Sequence, residues 1–181
     1  MPRPADREPL VLDACGVLNL AAAIPLTTAA TQLSRRLVVA APAAAEALFL
    51  EDEEDGIAVR TPVDLDGLEV VDLDEPDLAT YVELAVQLDD GEAATLAFAQ
   101  AQAWPVWTDD RKALRVAAAM SPPVEVISTA AIFREWADRR GLSDAEAGRA
   151  LRRVEARATF APRSTDTNFT WWSRCRQSSN E

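Results

Sequence analysis

Short apolar runs, each handing over to a helical pattern, constrain this chain more than any other feature. "LVLD" (residues 10–13) leads into "ACGVLNL", and "LVVA" (37–40) into "PAAAEALFLE". "PVWT" (105–108) leads into "DDRKALRVAAAM", and "VEVIST" (124–129) into "STAAIFREWADRRG". Runs this short and this apolar suit strands buried on both faces, and their alternation with helices implies βαβ units around a parallel sheet. The expected fold class is therefore α/β, with helices on both faces of the sheet. In such sheets ligands gather beyond the carboxyl ends of the strands.

The remaining segments fill in between. "TTAATQLSRR" reads as a helix with Thr27 or Thr28 as N-cap, and Pro42 sits near the start of the helix expected over "PAAAEALFLE". "EDEEDG" (51–56) reads as a solvated acidic turn, and "IAVR" and "LEVVDL" as strands that pair around residues 61–67. In "EPDLATYVELAVQL" the residues Leu78, Val82, Ala85 and Val86 share one face. In the next helix Ala93, Leu96, Ala97 and Ala101 do the same. Ile132, Phe133, Trp136 and Ala137 form a further apolar stripe. Ser143 and Glu146 are spaced as a capping box opening a helix that carries Arg149, Arg152, Arg153 and Arg157. The expected organisation is a loose leader over 1–8, one α/β domain over 9–140, and a basic helix with a polar, Trp-containing tail over 141–181.

Composition then limits the chemistry. The chain contains no histidine, which excludes Ser-His-Asp and Cys-His triads and His-ligated zinc. Cys15 and Cys175 do not make a disulfide framework. No apolar run approaches the length of about 18 residues that marks a membrane span, and no signal-peptide core follows the N-terminus. A cytoplasmic protein is expected. The net charge of -12 is unevenly spread. Residues 1–110 carry 5 Lys/Arg against 22 Asp/Glu, net -17, and residues 111–181 carry 13 against 8, net +5. The basic part can attract either nucleic acid or the acidic part of the same chain.

Against this background a few carboxylates stand out, because apolar or small residues surround them. Asp13 ends the first strand, Glu46 is the only charge in "APAAAEALFL", Glu92 opens the "EAATLAFA" helix, and Asp109 and Asp110 follow "VWT". Each has a structural alternative as a turn residue, a solvated helix position or a cap. A single N-cap accounts for one of Asp109 and Asp110 and leaves the other unexplained. Carboxylates gathered at one sheet edge repel and raise one another's pKa, and a divalent cation with oxygen ligands relieves that repulsion. Such a site, without histidine, points to metal-assisted phosphoryl chemistry.

These segments resemble the PIN-domain family, the nuclease fold of VapC-type toxins. The resemblance lies in "VLDACGVLNL", "VVAAPAAAEALFL", "DDGEAATLAFAQ" and "VWTDDRKALRVA", and "GEAATLA" followed by "TDDRKALRVA" is its most specific part. It implies a three-layer fold with a parallel sheet of about five strands flanked by helices, an acidic pocket holding Mg²⁺ or Mn²⁺, and cleavage of RNA. By resemblance Asp13, Glu46, Glu92 and Asp110 match the four acids in order, with Asp13, Glu92, Asp109 and Asp110 nearest the metal. Asn19 and Thr108 match supporting polar positions. Cys15 departs from the Ser, Thr or Asn common two residues after the first acid, the third acid is Glu instead of the more frequent Asp, and "EDEEDGIAVRTPVDLDGLEV" is longer than a minimal member needs.

The expected function is thus a metal-dependent endoribonuclease, the toxin of a toxin–antitoxin pair. Arg111, Lys112 and Arg115 lie just past the acids, where they can contact the RNA backbone or form a solvated helix face. The expected partners are an RNA substrate, a small antitoxin and a second copy of the chain, with "TTAATQLSRRLVV" and the Trp-containing tail as candidate contact regions. The alternative is a PIN-like protein-binding module without turnover. A phosphoacceptor domain would need a lysine ending a late strand, and "VEVIST" lacks one.

Overall fold

The computed structural model describes residues 7–54 and 56–178. Residues 1–6 of the expected leader lie outside these, and its last residue, Glu8, already belongs to a strand. Five strands form one parallel sheet: β1 (Glu8–Leu12), β2 (Arg35–Ala40), β5 (Glu69–Val71), β6 (Val106–Trp107) and β7 (Val126–Ile127). Their order is β5-β2-β1-β6-β7. β3 (Phe49–Glu54) and β4 (Ile57–Pro62) pair antiparallel as a separate hairpin.

The helices are α1 (Ala14–Ala23), α2 (Leu26–Leu33), α3 (Ala41–Glu46), α4 (Glu75–Ala85), α5 (Asp90–Gln102), α6 (Arg111–Ala119), α7 (Thr129–Arg140), α8 (Asp144–Arg157) and α9 (Phe169–Ser178). They cover both sheet faces, and the strands sort their side chains accordingly. Leu10, Leu12, Leu37, Val39 and Trp107 enter one core with residues of α1, α2, α7, α8 and α9. Val11, Val38 and Val106 enter the other with residues of α5 and α6. Alternation along a strand sends successive side chains to opposite faces, so two cores need apolar residues at every position. The result is a three-layer α/β fold.

Several expectations are corrected. α2 begins at Leu26 behind Pro25, not at a Thr cap; the Thr28 hydroxyl donates to the Pro25 carbonyl. Arg35 and Arg36 belong to β2, where Arg36 pairs with Glu69 of the neighbouring strand. α3 stops at Glu46, and Phe49–Glu54 is a strand rather than the end of a helix and an acidic loop. "IAVR" pairs with that strand, while Glu69–Val71 joins the main sheet beside β2. The hairpin is held to α8 by Arg157, whose Nε and Nη2 donate to Asp52 at 2.6 and 2.8 Å. The Thr61 hydroxyl donates to Asp52 as well.

The apolar stripe expected on α4 also differs. Leu78, Val82 and Val86 are 44%, 63% and 87% exposed, and the buried positions are Asp77 and Leu84. Ala101 is exposed too. Conversely, Leu26, Ala29, Leu33, Trp171 and Trp172, in the segments expected to offer contact surfaces, are buried. α8 and α9 pack on each other and share the core of α1 and α7. No single helix among the described residues is long and apolar enough to cross a membrane.

Candidate active site

At the carboxyl edge of a parallel sheet each strand hands over to a helix N-terminus, and the first N–H groups of a helix lack partners within it. Here three such termini, of α1, α6 and α7, and the N-terminus of α5, which follows α4, receive carboxylates. Asp13 caps α1 and accepts the Gly16 N–H at 2.8 Å. Asp110 caps α6 and accepts from Lys112 and Ala113 at 2.6 and 2.9 Å. Asp109 accepts the Thr129 N–H at 3.2 Å, at the start of α7. Glu46 accepts the Gly91 N–H at 2.9 Å, in the first turn of α5. The pair after "VWT" is thereby explained: both acids satisfy helix N-termini, each on a different helix, where a single cap would leave one idle.

Gly91 is required by this arrangement. A Cβ there would land on the Glu46 carboxylate, so only glycine lets the acid of α3 reach the backbone of α5. Asp89 caps α5 by accepting the Glu92 N–H at 2.9 Å, which leaves the Glu92 side chain free to face the rim.

The acids act on one another. Glu92 and Asp110 share a side-chain hydrogen bond. Partial burial, then the charges of Asp110, Asp89 and Asp13, push Glu92 up to about 7. Burial pulls Asp110 upward as well, but N–H groups of Ala113, Lys112 and Arg111 and the bond from Glu92 outweigh it and leave its pKa below the ordinary value. Within this pair Glu92 is shifted up and Asp110 down. Asp13, 5% exposed, is raised by burial against the hydrogen bonds of Cys15, Thr108 and Gly16, with Asp110 adding repulsion. Glu46 is raised by partial withdrawal from water and by Asp89, Asp90 and Asp13. Burial raises Asp109 to about 6 despite its bonds to Thr129.

Neutral groups hold the rim from beneath. The buried Thr108 hydroxyl bonds Asp13 and accepts the Asp110 N–H at 3.2 Å. Burial and the Asp13 charge push the Cys15 thiol far up, so it stays protonated and bonds Asp13. The thiol thus supplies the donor that a hydroxyl or amide would supply. Asn19, 2% exposed, does not touch an acid; its Nδ2 donates to the Thr129 hydroxyl at 2.9 Å. Thr129, absent from the sequence expectations, is the hub. Its hydroxyl accepts from Asn19 and from Trp107 Nε1 (2.7 Å) and donates to Asp109. That satisfies its one donor and two acceptor sites.

Asp13, Glu92 and Asp110 thus converge electrostatically, with Glu46 and Asp109 on either flank. Arg111, Lys112 and Arg115 are exposed on α6, outside the cluster. Among the described residues no three or more His, Cys, Asp and Glu side chains form a ready metal cage. The donor set nevertheless suits a hard cation: every donor is a carboxylate oxygen, and burial, with like charge adding to it, has raised four of the five pKa values. Mg²⁺ keeps several waters and takes one or two carboxylates, so it needs no tight protein cage.

Compared with known families, the chain matches a family model described as a PIN domain over residues 9–165. No curated protein and no solved structure matches it.

Proposed function

The chain belongs to the PIN-domain family, a nuclease fold, and from that premise we propose that it is a metal-dependent endoribonuclease acting in the cytoplasm as the toxin of a toxin–antitoxin pair. The observation that carries the catalytic part is the coupling of Asp13, Glu92 and Asp110 at the sheet's carboxyl edge, with Glu92 pushed up to about 7. A rim of carboxylates whose charged forms are disfavoured is short of positive charge. Mg²⁺ or Mn²⁺, when bound, would supply that charge, Lewis acidity at the phosphate and a lowered pKa for water.

The chain's own groups then have distinct tasks. Asp13, Glu92 and Asp110 offer oxygens to the cation. Glu46, fixed by the Gly91 N–H and shifted upward, orients the attacking water and accepts its proton as the oxygen approaches phosphorus in line. The products are a 5′-phosphate and a 3′-hydroxyl. Thr108 and Cys15 fix Asp13, and Asn19 acts on Asp109 through Thr129. Asp109, with both oxygens engaged by Thr129, has the least freedom to turn toward the cation and braces α7 against the rim. Arg111, Lys112 and Arg115 extend from α6 into solvent, where they meet phosphates and provide affinity without base choice.

The partner assignment rests on α4. Leu78, Val82 and Val86 expose an apolar stripe on a solvent-facing helix, which suits a small antitoxin; a homodimer is the competing occupant, and co-expression with the neighbouring reading frame distinguishes the two by mass. For catalysis, labelled RNA is incubated with wild type, Asp13→Asn and Asp110→Asn, with and without Mn²⁺. Cleavage that needs Mn²⁺ and disappears in both folded variants supports the proposal. Undiminished cleavage in the variants, or none by wild type on any RNA pool, overturns it.

A further inference from the structure

Phe49 opens β3 only three residues after Glu46, and it is 40% exposed, with the neighbouring Leu48 51% exposed. A helix continuing through Glu46 would have given this ring a different place; the break after α3 sets it at the base of the hairpin instead. The Arg60 guanidinium, from the facing strand, lies over one face of the ring, 4.9 Å from its centroid. Together they border a groove of about 480 Å³ that includes Leu18, Glu46 and Thr159. A second groove, of about 700 Å³, reaches Asp109 and Thr108 and is bordered by Ser128, Thr159 and Arg163. Both volumes lie in the range of ligand-holding clefts.

The two grooves share Thr159, and they end on different members of one acid cluster. Thr159 has φ of 54°, just past the end of α8. This left-handed residue turns the chain back so that 160–163 forms a wall beside Asp109. The opposite wall is equally fixed, because Arg157 clamps the hairpin through Asp52. Neither Arg60 nor Arg163 forms an ion pair among the described residues; Arg163 donates to the Asp109 carbonyl at 3.5 Å.

We propose that these grooves form one track for single-stranded RNA, with Phe49 stacking a base on the Glu46 side of the cut and Arg163 holding a phosphate on the Asp109 side. This rests on the nuclease reading and names the residues that position its substrate. An aromatic ring backed by a cation on one face, with part of its surface exposed, is the kind of platform on which proteins hold an unstacked base without reading its identity. A duplex keeps its bases stacked inward and cannot cover the ring. Two cations against an acidic rim make stacking the larger contribution to affinity.

The test uses the full chain and a labelled ten-nucleotide RNA of mixed sequence, alone and as a duplex, in Ca²⁺ with gels confirming an uncut probe. Anisotropy should show the single strand bound at least tenfold more tightly than the duplex. Phe49→Ala should weaken single-strand binding about tenfold, the order expected for losing one stack, and Phe49→Trp should restore it. Arg163→Gln should weaken it and reduce the salt slope by about 0.7, the value for one phosphate contact on a single strand. Wild-type affinity in both Phe49→Ala and Arg163→Gln, or equal binding of duplex and single strand, overturns the track even if the protein cleaves RNA. Lost binding in Phe49→Ala, in a chain that cleaves nothing, upholds the track and removes the nuclease reading.

Discussion

Trp107 and Asp109 lie two residues apart on the same strand end, and they open onto regions built on opposite terms. Beneath the sheet, Phe133 stands edge-on to Trp107, Trp136 and Trp172 at centroid distances of 6.0–6.2 Å, and Phe160 extends the layer. Every contact there favours folding. At the carboxyl edge of the sheet, Asp13, Glu46, Glu92 and Asp109 all sit at raised pKa, so folding places them where their charged forms are disfavoured. Thr129 joins the two regions, accepting from Trp107 and donating to Asp109. The difference teaches that a well-packed aromatic layer can carry a rim whose charged forms folding disfavours.

Substitutions should separate the regions, and the aromatic layer should yield the largest loss. Phe133→Ala should cost about 3–5 kcal/mol, the usual range for an emptied aromatic core site, measured by urea unfolding. A loss no larger than that of a rim substitution would break the comparison. Thr129→Val removes the acceptor of two buried donors, Trp107 Nε1 and Asn19 Nδ2, and should cost about 2 kcal/mol. A cost near zero would mean that the two regions are not joined through this hydroxyl.

The rim should behave in the reverse sense. Glu92 and Asp109 have folded pKa values of about 7 and about 6, above their ordinary values of 4.5 and 3.8. Protonation therefore favours the folded state. Their contribution is fully present below the unfolded values and is lost as pH rises through about 6 to about 7. Metal-free protein should accordingly melt lower at pH 8 than at pH 5. Glu92→Gln should flatten that slope and raise the melting temperature at pH 8, on the order of 2–4 °C. A lower melting temperature would contradict the description of the rim. The smallest effect belongs to the hairpin: Asp52→Ala breaks a partly exposed pair with Arg157 and should cost about 0.5–1 kcal/mol, with faster amide exchange confined to β3 and β4.

The two regions were unequally legible. β1, β2 and β6 announced themselves because strands buried on both faces cannot avoid continuous apolar runs, and Asp13 and Asp110 were visible as the charges that ended two of them. The hairpin was hidden because its packed face offers the core only Leu50 from β3, and the next position on that face is Asp52, a charge answered by Arg157 of α8, so the strand reads as part of an acidic run. On α4 the periodicity was real, but Leu78, Val82 and Val86 point outward; a pattern gives a face, not the side on which the core lies. Thr129 was missed because its bond to Asp109 spans 20 residues. The doubled acid after "VWT" was the available signal, since one helix needs one cap, and a second acid asks for a second helix.

The central claim is that Asp13, Glu92 and Asp110 jointly hold a divalent cation. A Mn²⁺ titration followed by electron paramagnetic resonance tests it without reference to any RNA. The account predicts that wild type depletes the free Mn²⁺ signal, and that Asp13→Asn and Asp110→Asn, folded and at the same concentration, leave it near that of buffer. Equal depletion by all three proteins, or none by wild type, would contradict it.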